Sequence, residues 1–359
     1  MGDDGIRYME INNKKIGPGH PCFITFEIGA THNGVESAKN LIKIASESGA
    51  DAVKFQIFDS EKLISNKQQM FSYDILVNRE TNVMRNIEES LYEILKRREL
   101  SRDQWTSLKN YADSLGLAFF VTIGFVDEIE FAAELGCQTI KIASADINHF
   151  PLIRAAAKTG LSIQLDTGMS TLDEVSRACD IIESEGNSNI IIHHCSFGYP
   201  AKVENINLGI ITKLKEIFSY PIAYSDHSIG MQIDIAALAM GVDIIEKTIT
   251  EDKSTPSVEH IMSLEPHQLK PFVNSIRDVE LAMAQNELTK KDKEKRDLIR
   301  RSIFLKNELP AGHQICEQDL TYRRPGHGIQ PDQLHFVLGK KLKLDKSPKD
   351  MLELEDLID

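Results

Sequence analysis

Residues 118–144 read AFFVTIGFVDEIEFAAELGCQTIKIAS and contain one complete strand–helix–strand unit. β-branched and aromatic residues predict strands over Ala118–Ile123 and Thr139–Ala143. The segment between them predicts a helix over Glu128–Leu135, with Gly136 where a C-terminal cap belongs. Two strands joined by a helix are typical of a parallel sheet with a crossover connection, so this unit predicts an α/β fold.

The same unit recurs along the chain. Further short apolar runs predict strands at Cys22–Ile28, Ala52–Ile57, Ser162–Leu165, Asn189–Ile192, Pro221–Tyr224 and Asp243–Ile245. Helix-like segments separate most of these runs. Eight such units close into a parallel barrel of about 250 residues, and the chain has 359. We therefore expect a TIM (β/α)8 barrel, in which the C-terminal ends of the strands form an active site.

Two regions depart from this repeat. A longer polar insertion over Phe58–Arg98 follows the second strand, and we expect it to form part of a lid or floor of the site. After Ala284 comes a run of charge, which predicts a solvated helix or a linker. Beyond that run the chain has short β runs at Ser302–Leu305 and Leu334–Leu338, between turns rich in proline and glycine.

The sequence thus predicts four parts. They are an N-terminal extension over residues 1–20, a catalytic barrel over 21–285, a charged linker over 286–299 and a small β-rich domain over 300–359. About 60 residues are marginal for a domain that stands alone, so we expect the last part to pack on a partner surface.

Composition excludes several classes of protein. The formal net charge of -13 argues against non-specific binding to nucleic acid or to an anionic membrane. The five cysteines are scattered and lack the spacing of a zinc site, which favours reduced thiols in a cytoplasmic protein. No apolar run approaches the roughly 20 residues of a membrane span. We expect a cytoplasmic location, with neither nucleic acid nor membrane as a partner.

Charged side chains lie near the ends of several predicted strands. Lys54 belongs to the second strand and Lys141 to the fourth. Two cations that converge in a barrel mouth suit a carboxylate or phosphate ligand. The alternative is that each lysine forms a buried ion pair with Glu27 or Glu246. Glu27, at the end of the first strand, is also a candidate general acid–base group or an acceptor for a substrate hydroxyl.

A histidine follows the seventh strand, in the sequence Ser225-Asp226-His227. Such a histidine acts as a general base, binds a metal or packs with a hydrogen bond, and its position alone does not choose among these roles. His193 and His194 follow the sixth strand. Because neighbouring residues of a strand point to opposite faces, at most one of them faces the barrel interior.

These residues also stand in short motifs that share an order with a known family. The motifs are Glu27-Ile28-Gly29-Ala30-Thr31-His32-Asn33-Gly34, Lys54-Phe55-Gln56, Lys141-Ile142-Ala143-Ser144, Thr167-Gly168-Met169, His194-Cys195-Ser196 with Tyr199-Pro200, Tyr224-Ser225-Asp226-His227 and Ile245-Glu246-Lys247. In this order they resemble the sialic acid synthase family. The tail from Arg301-Ser302-Ile303 to Arg323-Arg324-Pro325-Gly326-His327-Gly328 resembles that family's antifreeze-protein-like (SAF) domain, so the resemblance covers nearly the whole chain from Phe23.

The resemblance implies a reaction and a set of residues. The family condenses phosphoenolpyruvate with an N-acetylated hexosamine in a TIM barrel, and it releases a nine-carbon 2-keto-3-deoxy acid and phosphate. Glu27, Lys54 and His227 would be catalytic, and His227 would bind a divalent metal, with Mn2+ expected and Mg2+ or Co2+ as alternatives. The residues implied for substrate binding are Gln56, Lys141, Ser144, Tyr199, Ser225, Asp226, Glu246 and Arg324.

The resemblance also implies a partner. In family members the counterpart of Arg324 reaches the active site of the other subunit and contacts the N-acyl group of the sugar. We therefore expect a domain-swapped homodimer, in which the tail of one subunit covers the barrel mouth of the other.

The chain departs from the family pattern at four places. Thr248 replaces the second metal-binding histidine, for which His260 and His32 are candidate substitutes. Asp166 stands where the phosphoenolpyruvate pocket has a hydroxyl, and a carboxylate beside a phosphate is repulsive unless it pairs with a lysine or stays protonated. Phe197 replaces a polar residue, and Thr122-Ile123-Gly124-Phe125 stands where the family has Ser-Thr-Pro-Phe after the third strand. Two alternatives therefore stay open: a related barrel aldolase or lyase with a changed donor or acceptor, and a non-catalytic sugar-binding relative.

Overall fold

The computed structural model describes residues 8–284 and 287–359. The first seven residues of the expected N-terminal extension, and the point where the expected barrel gives way to the linker, lie outside the described residues. The chain divides into two compact units, Met1–Met283 and Ala284–Asp359. Within the described residues, no helix is both long enough and apolar enough to cross a membrane.

The described chain forms strands and helices that are numbered here in chain order. The strands are β1 (Met9–Ile11), β2 (Lys14–Ile16), β3 (Phe23–Glu27), β4 (Ala52–Gln56), β5 (Met70–Asn78), β6 (Val83–Ser90), β7 (Ala118–Ile123), β8 (Thr139–Ile142), β9 (Ser162–Asp166), β10 (Ile190–Cys195), β11 (Ile222–Asp226), β12 (Ile244–Thr248), β13 (Ser302–Leu305), β14 (Leu320–Arg323), β15 (Lys341–Leu342) and β16 (Leu357–Ile358). The α-helices are α1 (Val35–Ser48), α2 (Ser60–Leu63), α3 (Leu91–Lys96), α4 (Arg102–Ser114), α5 (Val126–Glu134), α6 (Phe150–Ala157), α7 (Leu172–Ser184), α8 (Gly209–Ile217), α9 (Gln232–Ala239), α10 (Pro266–Met283) and α11 (Lys290–Ile299).

The first unit is a closed barrel of parallel strands. Its strands follow one another around the barrel in the order β3, β4, β7, β8, β9, β10, β11 and β12, and β12 pairs with β3 to close it. The expected TIM (β/α)8 barrel is therefore confirmed. Each strand turns alternate residues inward and outward. The outward residues, such as Phe26, Phe55 and Ile245, pack under the helices in one continuous apolar core.

A short hairpin closes the N-terminal end of the barrel. Strands β1 and β2 pair antiparallel around Asn12 and Asn13, which both have positive φ angles, as a tight hairpin turn requires. The hairpin buries Met9, Ile11 and Ile16 against the lowest inward residues of the barrel strands, which are Phe23, Ala52, Ala118, Phe120, Ile191, Ala223 and Ile244. An apolar floor therefore separates the polar interior of the barrel from its N-terminal end.

The insertion after β4 is more regular than the sequence indicates. Strands β5 and β6 form a long antiparallel hairpin between the short helices α2 and α3, and Tyr73, Ile75 and Ile94 give it a small core of its own. Near the hairpin turn, Arg79 forms an ion pair of 2.6 Å with Glu265. At the other end, the ring of Phe71 lies 6.5 Å from that of Tyr199, in the loop after β10.

The second unit begins with α11, within the range expected to be a linker. Thr289 caps this helix by accepting a hydrogen bond from the backbone of Asp292 at 3.1 Å. The unit continues with two small antiparallel sheets around a core that includes Ile303. The strand predicted over Leu334–Leu338 is wrong, because most of that segment belongs to a 3-10 helix over Pro331–Phe336.

Candidate active site

Five charged side chains meet on the inner face of the barrel. The Nζ atom of Lys54 lies 2.6 Å from Oε2 of Glu27 and 3.0 Å from Oε1 of Glu246. The Nζ atom of Lys141 lies 2.8 Å from Oε2 of Glu246 and 3.0 Å from Oδ2 of Asp166. Glu246 therefore bridges the two lysines. The ion pairs that the sequence left open as an alternative are present in this structure.

Strand register explains why these side chains meet. Glu27 is paired with Lys54 across β3 and β4, and Ser225 is paired with Glu246 across β11 and β12. Residues in register on neighbouring parallel strands turn toward the same face of the sheet. The Ser225 hydroxyl donates a hydrogen bond of 2.9 Å to Glu246, and Lys141 donates one of 3.0 Å to Ser225.

The ion pairs hold two of these groups charged in spite of burial. Burial alone favours the neutral form of Glu246, but the positive charges of Lys141 and Lys54 lower the pKa of this carboxyl well below its ordinary value. Burial also disfavours the Lys54 ammonium, yet the carboxylates of Glu246 and Glu27 raise the pKa of Lys54. The two groups therefore stay ionised together.

The other two carboxyls are shifted toward the neutral form. Burial raises the pKa of Glu27 more than the charge of Lys54 lowers it. Burial likewise raises the pKa of Asp166 in spite of its contact with Lys141. Three carboxyls share two lysines, and the lysines stabilise the ionised form of Glu246 more than that of Glu27 or Asp166.

Smaller side chains surround the cluster near the barrel mouth. Gln56 donates a hydrogen bond of 3.2 Å to Glu27. Ser144 begins a 3-10 turn directly after β8. Gly168 has a φ of +46°, and a Cβ atom added there would lie 2.6 Å from Cβ and Oγ of Ser144. The close approach of this loop to Ser144 therefore depends on glycine.

His227 lies beside Tyr199, with the two rings 4.7 Å apart. Burial lowers the pKa of His227 to about 4, so the ring is neutral at pH 7, as a metal ligand must be. Its Nδ1 atom is buried and has no hydrogen-bond partner among the described residues. This histidine is therefore free to bind a metal or a substrate group.

The second histidine of the expected metal site is missing at its place on β12. Thr248 ends β12 where the resemblance calls for a second histidine. Of the two candidate substitutes, His260 is engaged at both ring nitrogens, at 2.7 Å from Thr250 and 3.3 Å from Arg98. His32 packs on Phe55, which belongs to the core outside the barrel. Across residues 8–284 and 287–359, no group of three or more His, Cys, Asp or Glu residues is arranged to hold a metal ion.

One expected binding residue lies on the opposite face of its strand, and another belongs to the second unit. Asp226 follows Ser225 on β11, so its side chain turns to the opposite face of the strand. There it accepts hydrogen bonds from the Tyr224 hydroxyl at 2.8 Å and the Ser228 backbone at 2.9 Å, and it pairs with Lys247. Arg324 belongs to the second unit, where it is exposed in the segment after β14.

One residue near the mouth was missed by the sequence reasoning. Glu259 has a φ of +72°, which is unusual for a residue with a side chain. Burial, together with the negative charge of Glu27, raises the pKa of its carboxyl to about 8. The one available signal was its place beside His260, and no strand pattern pointed to it.

Comparison with known proteins places this site in a family. The NeuB family profile matches residues 41–288, and the SAF domain profile matches residues 300–358. An uncharacterized protein of Methanocaldococcus jannaschii is 35% identical over 354 residues, which cover 98% of this chain and 98% of that protein. The N,N'-diacetyllegionaminic acid synthase of Legionella pneumophila is 37% identical over 352 residues, which cover 94% of this chain and 96% of the synthase.

A solved structure agrees with these relatives. The crystal structure of N-acetylneuraminic acid (sialic acid) synthetase from Leptospira borgpetersenii matches with a TM-score of 0.70 and 29% identity. The match covers 81% of this chain and 95% of that one. The chain therefore belongs to the NeuB family, the sialic acid synthase family, and is an enzyme with a SAF domain after its barrel.

Proposed function

We propose that the chain joins phosphoenolpyruvate to an N-acetylated hexosamine related to N-acetylmannosamine. The products would be phosphate and a nine-carbon 2-keto-3-deoxy acid of the sialic, legionaminic or pseudaminic type. One observation carries the proposal: in a barrel of the NeuB family, Lys54 and Lys141 meet at Glu246 on the inner face, with Glu27 beside them. Two lysines that meet at this depth suit a substrate that carries both a carboxylate and a phosphate.

The substrate groups have natural partners in this cluster. Lys54, Lys141, Ser144 and Ser225 are the proposed partners of the phosphate and carboxylate of phosphoenolpyruvate. Gln56 and Tyr199 are the proposed contacts for the same ligand or for the sugar. Asp226 takes no part in this binding, because its side chain is held on the other face of β11 by Lys247 and Tyr224.

The proposed reaction forms one carbon–carbon bond, adds the oxygen of water to C2 and breaks the bond from C2 to the phosphate oxygen. The enol carbon of phosphoenolpyruvate attacks the aldehyde carbon of the open-chain sugar, and the aldehyde oxygen takes up a proton and becomes a hydroxyl. Water then adds to C2 and loses one proton, which leaves a hydroxyl on C2. When the bond from C2 to the phosphate oxygen breaks, this hydroxyl gives up its remaining proton and becomes the keto oxygen, and the phosphate leaves as hydrogen phosphate. Glu27 is the proposed acceptor of the proton from water, because it ends β3 beside Lys54 and accepts a hydrogen bond from Gln56.

The divalent metal stays a proposal that rests on His227 alone. When bound, an ion such as Mn2+ would act as a Lewis acid on the sugar carbonyl. The described residues do not offer it a set of protein ligands, so substrate oxygens and water would have to complete the coordination. We therefore assign no step of the reaction to the metal.

The assembly and location are proposals as well. We propose a homodimer in which Arg324 of one subunit reaches the sugar site of the other. Support for this comes from the exposure of Arg324 and from the SAF domain match. A cytoplasmic location is proposed because phosphoenolpyruvate is a cytoplasmic metabolite and the cysteines are free.

The test is phosphate release by the purified chain with phosphoenolpyruvate. It is run over a panel of N-acetylated hexosamines, with and without Mn2+, and the mass of the organic product is measured by mass spectrometry. We expect release that depends on one sugar, together with a 2-keto-3-deoxy acid of the matching mass. Release without any sugar, or no release with every sugar and metal, would overturn the proposal.

A second candidate is a related aldolase or lyase with a different donor. The observation that favours it is the third carboxyl, Asp166, which contacts Lys141 at 3.0 Å and adds negative charge where an anion would bind. Cleavage or formation of the keto acid with pyruvate in place of phosphoenolpyruvate would identify this candidate.

A further inference from the structure

A chain of hydrogen bonds inside the barrel runs from Thr139 through Gln164 to His193. A carbonyl at its start, which can only accept, decides which atom donates in each bond. The Thr139 hydroxyl donates to the backbone carbonyl of Ser162 at 3.1 Å, because a carbonyl can only accept. The lone pairs of Thr139 therefore accept from the Nε2 amide of Gln164, at 3.1 Å. This orients the Gln164 amide oxygen toward Nε2 of His193, at 2.7 Å.

The end of this chain sets the tautomer of His193. Because the Gln164 oxygen can only accept, Nε2 of His193 must carry the hydrogen. Burial, together with the charge of Lys141, lowers the pKa of His193 well below its ordinary value, so the ring is neutral. In the neutral ring, Nδ1 then has a lone pair and no hydrogen.

That lone pair faces a carboxyl oxygen. Nδ1 of His193 lies 3.8 Å from Oδ1 of Asp166. Both atoms are buried, and neither has a hydrogen-bond partner among the described residues. If Asp166 were ionised, two acceptors would face each other with nothing to donate between them. A proton on Oδ1 of Asp166 removes the conflict, because a donor then faces an acceptor, although 3.8 Å is longer than a hydrogen bond.

The surrounding charges act on the same group. The titratable groups that act on Asp166 come from several elements and are Lys141 on β8, His193 and Cys195 on β10, Lys54 on β4, Glu246 on β12 and Tyr199 in the loop after β10. With Glu246 already ionised between the lysines, a neutral Asp166 gives the cluster one negative charge fewer. An acid substrate would meet less repulsion in that state.

We propose that Asp166 carries a proton when an acid substrate occupies the barrel mouth, and that this proton is on Oδ1, the oxygen that faces Nδ1 of His193. Asp166 would then take part in substrate binding only when its own carboxyl is protonated. The identity of the acid substrate, phosphoenolpyruvate, rests on the proposed function. The proton on Oδ1 of Asp166 does not.

The sign of the pH dependence follows from this arrangement. Substrate binds the form with a neutral Asp166, so binding takes up a proton wherever free Asp166 is ionised. Affinity then falls as pH rises above the pKa of Asp166, approaching tenfold per pH unit. Between pH 7 and 9 the phosphate of the substrate is almost fully ionised, since its second pKa is about 6, and it adds little to the slope.

The first experiment is calorimetric titration with phosphoenolpyruvate between pH 7 and 9, in pairs of buffers with different ionisation enthalpies. We expect proton uptake and falling affinity in the wild-type chain once rising pH ionises free Asp166, and both effects are expected to be lost in Asp166→Asn. The carboxamide keeps a donor for His193 but cannot titrate. Asp173→Asn, an exposed change of equal charge on α7, should behave as wild type. Equal proton uptake by wild type and Asp166→Asn would overturn the proposal.

Glu259 requires its own control, because its pKa of about 8 lies inside the same window. A Glu259→Gln variant should keep the proton uptake that Asp166→Asn loses. If Glu259→Gln loses the uptake and Asp166→Asn keeps it, the proton belongs to Glu259 and the proposal for Asp166 is wrong.

The second experiment needs no ligand and no fold-sensitive variant of Asp166. Nitrogen NMR of histidine-labelled wild-type chain, with the His193 signal assigned by its loss in His193→Gln, reports the tautomer directly. We expect a neutral ring with hydrogen on Nε2 and no hydrogen on Nδ1 near neutral pH. A charged ring, or hydrogen on Nδ1, would overturn the proposal. Absence of phosphoenolpyruvate binding would contradict the proposed donor, and this spectrum would then decide the Asp166–His193 proton alone.

Discussion

Two clusters of lysine and carboxylate lie on opposite faces of the barrel sheet. The inner cluster, at the barrel mouth, joins Lys54 and Lys141 through Glu246. The outer cluster lies between the barrel and its helices, where Lys247 pairs with Asp226 and lies 3.5 Å from Asp234. Residues 246 and 247 are neighbours on β12, so strand alternation alone sends one to each cluster.

The clusters differ in the kind of partner that their groups bond. In the outer cluster Asp226 accepts from Tyr224 and from both the backbone and the hydroxyl of Ser228, while Lys247 also donates to the Ser228 carbonyl at 2.7 Å. The inner cluster is joined through side chains, as where Lys141 donates to Glu246 and to Ser225. Both clusters keep carboxyl oxygens without a hydrogen-bond partner among the described residues, on Asp166 and on Asp234. The backbone partners therefore suit a structural role for the outer cluster, whereas the inner cluster lies at the barrel mouth, where a ligand binds in this fold.

The largest expected effect is on stability, in the outer cluster. Lys247→Met leaves Asp226 and Asp234 buried without their cation, and breaking a buried pair in this way costs about 3–5 kcal/mol. Urea unfolding followed by circular dichroism would measure the loss. The folded variant should keep its phosphate release, because no outer residue is proposed to touch substrate. Normal stability, or a folded protein without activity, would break the comparison.

The next effect is on catalysis, in the inner cluster. Lys141→Met removes a cation proposed to bind the substrate anion, and the loss in kcat/KM should be about 10²–10³-fold, as for other preorganised charge partners. Phosphate release from phosphoenolpyruvate and the responsive sugar is the measurement. Lys247→Met, assayed in the same way, is the matched control. A smaller loss for Lys141→Met than for Lys247→Met would reverse the roles assigned to the two clusters.

A smaller effect is expected where the inner cluster meets its loop. Gly168→Ala introduces a side chain at a φ of +46° and pushes its Cβ against Ser144, so we expect a loss of about 1–3 kcal/mol in stability and weaker phosphoenolpyruvate binding. Gly186→Ala is the matched control, because its φ is +81° with nothing within 4 Å of the added Cβ. If both variants bind phosphoenolpyruvate equally well, the contact with Ser144 does not shape the site.

The smallest effect is the response to acid, which the two clusters should share. The pKa values of Glu246 and Asp226 are both lowered in the folded chain, where lysines offset the burial. Their stabilisation is therefore present above their ordinary pKa of about 4 and is lost as pH falls below it. Urea midpoints between pH 3 and 7 should fall less steeply in Glu246→Gln and in Asp226→Asn than in wild type. A steeper fall in either variant would contradict the sign.

Much of the fold could be predicted from the sequence, since the strand and helix signals are local. The helix predicted over Glu128–Leu135 is α5, at Val126–Glu134, and the predicted strands differ from the observed ones mainly at their ends. β10 runs to Cys195 rather than Ile192, because pairing with β11 carries the ladder through two histidines that are poor strand formers. The β5–β6 hairpin was not predicted, since its polar sequence has no clear alternation and its small core forms only on folding.

The site was predictable where it depends on strand ends and not where it depends on loops. Lys54, Lys141, Glu27, Ser225 and Glu246 come together because each faces inward near the end of a barrel strand. Asp226 was misplaced, although the alternation that allowed only one of two adjacent histidines to face inward applies equally to Ser225 and Asp226. Glu259 escaped notice because its place near the mouth comes from a loop with a positive φ.

The pairing that closes the barrel has a consequence for the synthesis of the chain. β3 pairs with β12, so Phe23 finds its partner only at Ile244. On a ribosome that adds roughly 5–20 residues per second, the first barrel strand waits about 10–45 s for the last one to be made. During that time β3 has one exposed edge, and so does each newest strand. A nascent chain of this kind would depend on chaperones that shield strand edges more than a chain whose neighbouring strands complete its sheet.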